Sequence, residues 1–219
     1  MGRSGAGKTY SLKNFQPNEV GIISVEKGRL PFRSQLKVVK IPAYEKSESV
    51  TSMAQANTAK YAWLMGVIQK SKAKAVVIDD SQYLMANELF DRANEKGYDK
   101  FTNMAANFRN LIHFINELPE DDKIVYFLHH TETDTDGREK VKTIGKMLDE
   151  KLCVEGCFDI VIYCADHKFY TQSNGQSTAK TPEDMFPSVE IPNDLKAVDT
   201  AIREYYGLGA GVNSNEVHT

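Results

Sequence analysis

The sequence predicts an α/β fold, a mainly parallel sheet with helices on both faces. Three observations predict it. Short, nearly continuous apolar runs recur ("EVGIISVE", "KAVVIDD", "KIVYFLHH", "FDIVIYC"), as expected of strands buried on both faces. Amphipathic runs at helical spacing alternate with them. The chain also opens on a glycine-rich loop, Gly2 to Thr9, whose G-x-x-x-x-G-K-T spacing ordinarily joins a strand to a helix and cradles phosphate.

Taken in order, the loop comes first, and only Met1 precedes it. The strand that should feed it is absent, which would leave neighbouring strands with unpaired backbone groups. The expectation is that Met1 is an internal methionine of a chain beginning upstream, or that another segment fills the gap. Glu19–Glu26 reads as a buried strand after a Pro17-Asn18 turn, and Lys37–Pro42 as a shorter one ended by proline. Ser52–Lys70 repeats apolar residues near helical spacing. Lys74–Asp80 is a strand ending in carboxylates. Phe101–Leu118 is the clearest helix, with Met104, Phe108, Leu111, Ile112 and Ile115 on one face and Pro119 after its end. Lys123–His130 and Phe158–Cys164 read as two more buried strands. Polar alternation around Asp136-Gly137 predicts a hairpin over Thr131–Thr143. A polar loop at Ser173–Gln176 interrupts His167–Pro187. The expected organisation is one domain over 1–206 and a glycine-rich polar tail over 207–219.

Composition narrows the class. The 219 residues are 41% hydrophobic and 26% charged, which is ordinary globular usage. The apolar runs are too short to span a bilayer, and no secretory signal is visible. Three cysteines suit a reducing compartment, so the expectation is a cytoplasmic protein without a membrane partner. A net charge of −3 does not mark a general nucleic-acid binder, and any DNA contact would need a local basic patch.

The loop carries the chemistry. Its residues Gly2, Arg3, Ser4, Gly5, Ala6, Gly7, Lys8, Thr9 and Tyr10 are the expected nucleotide contacts. Glycines let backbone N–H groups converge on phosphate, Lys8 reaches the β and γ phosphates, and Thr9 offers a hydroxyl to Mg²⁺. The helix expected after the loop would point its positive end at the same anion. "AVVIDD" supplies the second half: a buried strand whose terminal Asp79 emerges beside the loop and holds Mg²⁺. An N-K-x-D base-reading motif is absent, and "DTDG" lies in the polar hairpin, so ATP is favoured over GTP. Two carboxylates compete to orient the attacking water, Glu26 at the end of "GIISVE" and Asp80 next to Asp79.

These pieces resemble a known family. "IISVEKGRLPFR" resembles the strand-then-glutamate segment of RecA-family recombinases. The wider set, "GRSGAGKTYSLKNF", "VVIDDSQYL", "FLHHTETD", "KTIGKMLDEKL", "FDIVIYC" and "IPNDLKAVDTAIREYYG", is similar to phage-encoded RecA-like P-loop ATPases found among recombination genes. The resemblance implies a RecA-like ATPase, oligomeric, acting on single-stranded DNA in phage recombination or replication, some members being linked to strand annealing or exchange. It makes Glu26 the catalytic glutamate, Asp79 the Mg²⁺ carboxylate, and His129 or His130 a sensor of the γ-phosphate, with Asp80 in reserve.

Other signals carry less. Cys153, Cys157, Cys164 and His167 fit no tight zinc knuckle, and Glu132–Gly137 starts like a calcium loop but has Thr143 in its twelfth position. Lys168, Phe169, Tyr170 and Lys180 combine aromatics with lysines, as single-stranded DNA sites do. The alternatives are a strand pair with solvated lysines, or a lysine reaching a neighbouring subunit's ATP. Two rival functions stand beside the DNA-linked ATPase: an ATP-gated partner module such as a helicase loader, and a small-molecule kinase with "REKVKT" as its lid.

Overall fold

A computed structural model describes residues 1–26, 28–43, 50–144 and 153–209. The expected segment "KTIGKMLDEKL" from residue 145 onward, and the tail from residue 210, lie outside the described residues.

The centre is a parallel sheet of four strands in the order β2-β1-β3-β4, built from β1 (Val20–Ser24), β2 (Val38–Lys40), β3 (Ala75–Asp79) and β4 (Ile124–Leu128). The register Ser24↔Asp79↔Leu128 brings the carboxyl ends of three strands to one edge. Alternate side chains of β1 and β3 enter two separate cores. Ile22, Ala75 and Val77 face one, while Ile23, Val76 and Ile78 face the other. This double burial is why the strands read as continuous apolar runs.

Helices α1 (Met53–Lys70), α2 (Tyr83–Asp91) and α3 (Asp99–Asn116) cover the second face. Tyr61, Leu64 and Ile68 of α1 meet Phe108, Leu111 and Ile112 of α3 there, and each full burial contributes roughly 1.5–3 kcal/mol. The Ser52 side chain starts α1 by accepting the Gln55 amide. Helix α4 (Leu195–Tyr206) covers the first face with Leu195, Val198 and Ile202. Asp194 caps it by accepting from the Lys196 and Ala197 amides, and Gly207 ends it in the left-handed conformation. Asp199 accepts the Tyr126 hydroxyl proton at 2.8 Å, tying α4 to β4.

The stretch after Asp80 forms the helix α2, an element not read from the sequence. It buries Leu84, Met85 and Ala86, and turns Glu88 inward onto Arg92 (2.9 Å) and Asn107 (3.2 Å). Phe158–Cys164 is not a full strand of the parallel sheet. Its end forms β7 (Tyr163–Ala165), which pairs antiparallel with β8 (Lys168–Tyr170), which in turn pairs antiparallel with β9 (Glu190–Pro192). The hairpin predicted at Asp136-Gly137 is present, as β5 (Thr131–Thr133) and β6 (Glu139–Val141). Among the described residues no helix is long and apolar enough to cross a membrane.

Candidate nucleotide site

The loop Gly2–Thr9 lies across the carboxyl edge of the sheet. Gly5 and Gly7 have φ of 80° and 106°, which favour glycine. Gly7 is also enclosed: a Cβ there would lie 2.3 Å from Asn193 Nδ2 and 2.7 Å from His167 Nδ1. Asn193 Nδ2 donates to the Gly7 carbonyl at 3.0 Å, so β9 and the β7–β8 turn clamp the loop from outside. Gly7→Ala should therefore lower stability by about 2 kcal/mol or more through strain alone and displace Asn193. A fall in melting temperature together with weaker nucleotide binding checks this; an unchanged melt would contradict it.

Lys8 is buried, and its ammonium donates to the carbonyls of Gly2 (2.8 Å) and Arg3 (2.9 Å), spanning the loop it belongs to. The chain continues from Lys8 into a six-residue 3₁₀ segment, Thr9–Asn14, rather than the expected helix. Phe15 turns extended and buries itself, which ends the segment before a helical dipole can build. The loop's grip on an anion must come from Lys8 and the loop amides.

Thr9 Oγ1 donates to both carboxylate oxygens of Asp79, at 3.0 and 3.2 Å. The hydroxyl and carboxylate expected to share Mg²⁺ are thus in contact. Burial, then the neighbouring charge of Asp80, raise Asp79 to about 6. Such a buried, crowded carboxylate suits a hard divalent cation, so the donor set fits Mg²⁺. Tyr10, the last expected contact, is partly exposed beside the loop, with Phe32 and His167 edge-on to its ring.

Glu26 lies just past β1, next to the end of β3, where Val25 N–H donates to the Asp79 carbonyl at 3.1 Å. Its carboxylate is exposed and accepts from Asn87 Nδ2 of α2 at 2.6 Å. Asp80 is buried at φ 60°, and its Oδ1 lies 3.1 Å from His130 Nε2. Lys8, Thr9, Asp79, Asp80, Glu26 and His130 therefore belong to one edge of one sheet.

His129 does not join them. Its ring is buried against Phe108, its Nε2 donates to the Lys142 carbonyl at 2.7 Å, and its Nδ1 accepts from Ser81 Oγ at 2.9 Å. Burial depresses it from 6.5 to about 3. It is a neutral core group, not a γ-phosphate sensor. Between those two values the unfolded chain takes up a proton that the folded chain refuses, so stability is present above 6.5 and falls as the pH drops. From 6.5 to about pH 5 the loss should reach about 2 kcal/mol. Met1's buried amine, lowered from 8.0 to about 5, acts in the same direction. Comparing melts of the parent and His129→Gln isolates the histidine: the variant should lose less stability on acidification.

Of the alternatives for the aromatic-lysine segment, the strand pair is the one the fold contains. Phe169 is buried in the core, Lys168 pairs with Glu190 at 2.6 Å, and the Tyr170 ring lies tilted beside Tyr163. Lys180 is exposed, and its backbone bridges to Val161. These four do not form a stacking face for bases.

Sequence reasoning missed three contacts. Asn87 was hidden because the sequence alone assigned no element to the stretch that forms α2. Glu139 of β6 holds Arg3 of the phosphate loop at 2.5 Å, and Arg3 together with the Thr131 and Thr133 hydroxyls lowers its carboxyl to about 2. Asn193, in "IPND", offers no local signal for its bond to Gly7 beyond its place ahead of a capping Asp.

A family model described as an AAA domain matches residues 1–186. The chain belongs to this AAA-domain family. A search of curated proteins finds no match. Membership agrees with the α/β P-loop fold and makes the chain an AAA-type nucleotide-binding domain. The matched span runs from the phosphate loop through the β7–β8 pair, so it contains Lys8, Thr9, Glu26, Asp79, Asp80 and His130.

Proposed function

We propose that this domain binds Mg·ATP and hydrolyses it, with turnover coupled to single-stranded DNA in phage recombination or replication, as a homo-oligomer. The observation that carries the nucleotide reading is the Thr9–Asp79 contact beside the buried Lys8 ammonium. When bound, Mg²⁺ would supply positive charge that offsets the charge developing on the phosphate. Thr9 and Asp79 hold it, Lys8 and the loop amides bind the phosphates, and Glu26 orients and deprotonates the attacking water. His130, half-buried and held by Asp80, is the remaining candidate to report on the γ-phosphate.

The DNA-linked role rests on the sequence resemblance to phage RecA-like ATPases. The test is ATP hydrolysis with and without single-stranded DNA, no other protein being present. A severalfold stimulation is expected. Turnover indifferent to DNA would favour an ATP-gated partner module such as a helicase loader, and phosphate transfer to a small acceptor would favour a kinase.

A further inference from the structure

Charge is not spread evenly along this acidic chain. The run from Lys27 to Tyr44 holds five lysines and arginines and no acid, although the whole chain carries a net charge of −3. Arg29, Arg33, Lys37 and Lys40 of this run are exposed. Among the described residues none of the four makes an ion pair or a side-chain hydrogen bond. Lysines elsewhere on the surface are paired, Lys74 with Asp122, Lys168 with Glu190 and Lys196 with Glu19.

The fold turns these four charges outward. β1 and β2 are parallel neighbours, so the chain must return from the carboxyl edge of the sheet to its amino edge, through residues 28–37, before β2 begins. Leu30, Phe32 and Leu36 pin that connection onto the first core. Arg29, Arg33 and Lys37 stand beside these anchors in the chain and point to solvent. Lys40, opposite Ser24 at the carboxyl end of β2, folds back over the start of the connection: a Cβ on Gly28 would lie 2.6 Å from its Nζ. The cations therefore line one edge of the sheet, and the path from Arg29 to Lys37 can span up to about 28 Å.

A row of unpaired cations of this length matches a polymer that carries a charge on every unit, rather than a single small anion. β2 is the outer strand of the sheet, the place where an acidic peptide would add as a further strand. The edge is built against that: β2 has three residues, bears Lys40, and is followed by Pro42. Arg29, Arg33 and Lys37 also lie on the connection, where strand pairing cannot place a partner's acids. A nucleic-acid strand needs no backbone register. A flexible single strand can follow the irregular connection, whereas a stiff duplex cannot bend to it over so few base pairs. Phe32, partly exposed between Arg29 and Arg33, offers an aromatic surface to a base.

We propose that this edge is a binding track for single-stranded nucleic acid, with Arg29, Arg33, Lys37 and Lys40 holding successive phosphates. This role rests on the DNA-linked reading above and supplies the local basic patch that the Lys168–Lys180 segment does not. Arg29 follows Glu26 closely in the chain, so a strand on the track borders the carboxylate proposed to orient water.

The experiment measures binding of a labelled oligothymidylate of about 15 nucleotides to the full chain by fluorescence anisotropy, without nucleotide. Four phosphate contacts give a log–log salt slope of about −3, so raising salt from about 50 to about 200 mM should weaken binding roughly fiftyfold. Replacing Arg29, Arg33, Lys37 and Lys40 together by glutamine should weaken binding about tenfold or more at the lower salt and remove most of the slope. A control of equal net charge replaces the exposed Lys70, Lys72, Lys96 and Lys180 by glutamine. It should bind within about threefold of the parent with the slope kept. Should the first variant melt early, Arg29→Gln with Arg33→Gln alone must reduce the slope by about 1.4. Poly-glutamate at equal charge concentration should not displace the oligonucleotide. A track variant that binds like the parent, or a control that loses as much, overturns the proposal and leaves the DNA-linked role standing. Equal competition by poly-glutamate overturns it in favour of an acidic protein partner. A parent that binds no oligonucleotide removes the DNA-linked role together with the track, while the ATPase reading is untouched.

Discussion

Lys8→Ala is expected to weaken Mg·ATP binding about a hundredfold or more and to leave no measurable turnover. The Lys8 ammonium is the cation buried at the phosphate loop, and in the ligand-free protein the Gly2 and Arg3 carbonyls hold it in place at 2.8 and 2.9 Å. Arriving phosphate oxygens replace those carbonyls with charged acceptors. A hydrogen bond to a charged group is worth roughly 1.5–3 kcal/mol. Losing two of them removes at least about 3 kcal/mol, which is more than a hundredfold in affinity. The same substitution takes the ammonium donor from the Gly2 carbonyl and leaves the Arg3 carbonyl with the Ala6 N–H at 3.3 Å, so a structural effect must be separated from the loss of charge. Thermal melting of the ligand-free variant does this: a shift of only a few degrees, alongside the lost binding of a fluorescent ATP analogue, assigns the loss to the phosphate contact. A variant that still binds ATP like the parent would remove the phosphate site from this loop.

The loop and the Asp79 strand were legible, while much around them was not, because of where the information lies. Glycine and lysine spacing in Gly2–Thr9 is local, and so is the apolar run ending in Asp79, because these segments interact first with a ligand or with both faces of a sheet. Helix α2 was illegible for the opposite reason. Its Glu88 and Arg92 point inward as a buried pair shared with Asn107, which breaks the apolar periodicity that betrays a helix. The reversal between β7 and β8 is made by Asp166 and His167, with φ of 49° and 57°, a pairing that lacks the Asn-Gly signature of such turns. That reversal takes Phe158–Cys164 out of the simple alternation of strands and helices and buries Phe169, which sequence alone offered as a DNA contact. His129 and His130 looked equivalent at a strand end. Only the packing of Phe108 and Ser81 shows that one is core and the other faces Asp80.

Glu26→Gln should bind Mg·ATP within about threefold of the parent yet hydrolyse it about 10²–10³-fold more slowly, the range expected when a positioned general base is removed. The substitution is mild for the fold. Glu26 is exposed, and a glutamine carbonyl can still accept from Asn87, so the contact to α2 survives. What is lost is a carboxylate able to take a proton, at the end of the strand next to the one that bears Asp79. Asp80→Asn is the necessary comparison. Asp80 occupies a left-handed backbone position that asparagine tolerates, and it is buried with His130 at 3.1 Å. Its charge also raises the Asp79 carboxyl, so neutralising it should let Asp79 ionise more readily and preserve or tighten metal binding. Turnover of Asp80→Asn should fall less than about tenfold, well short of the loss expected from removing a general base. The two variants are best read at saturating Mg·ATP, where affinity differences drop out and only the chemical step and product release remain. If Asp80→Asn proves the slow enzyme and Glu26→Gln turns over normally, the base is the buried carboxylate, with His130 as its partner, and Glu26 serves only to dock α2 through Asn87.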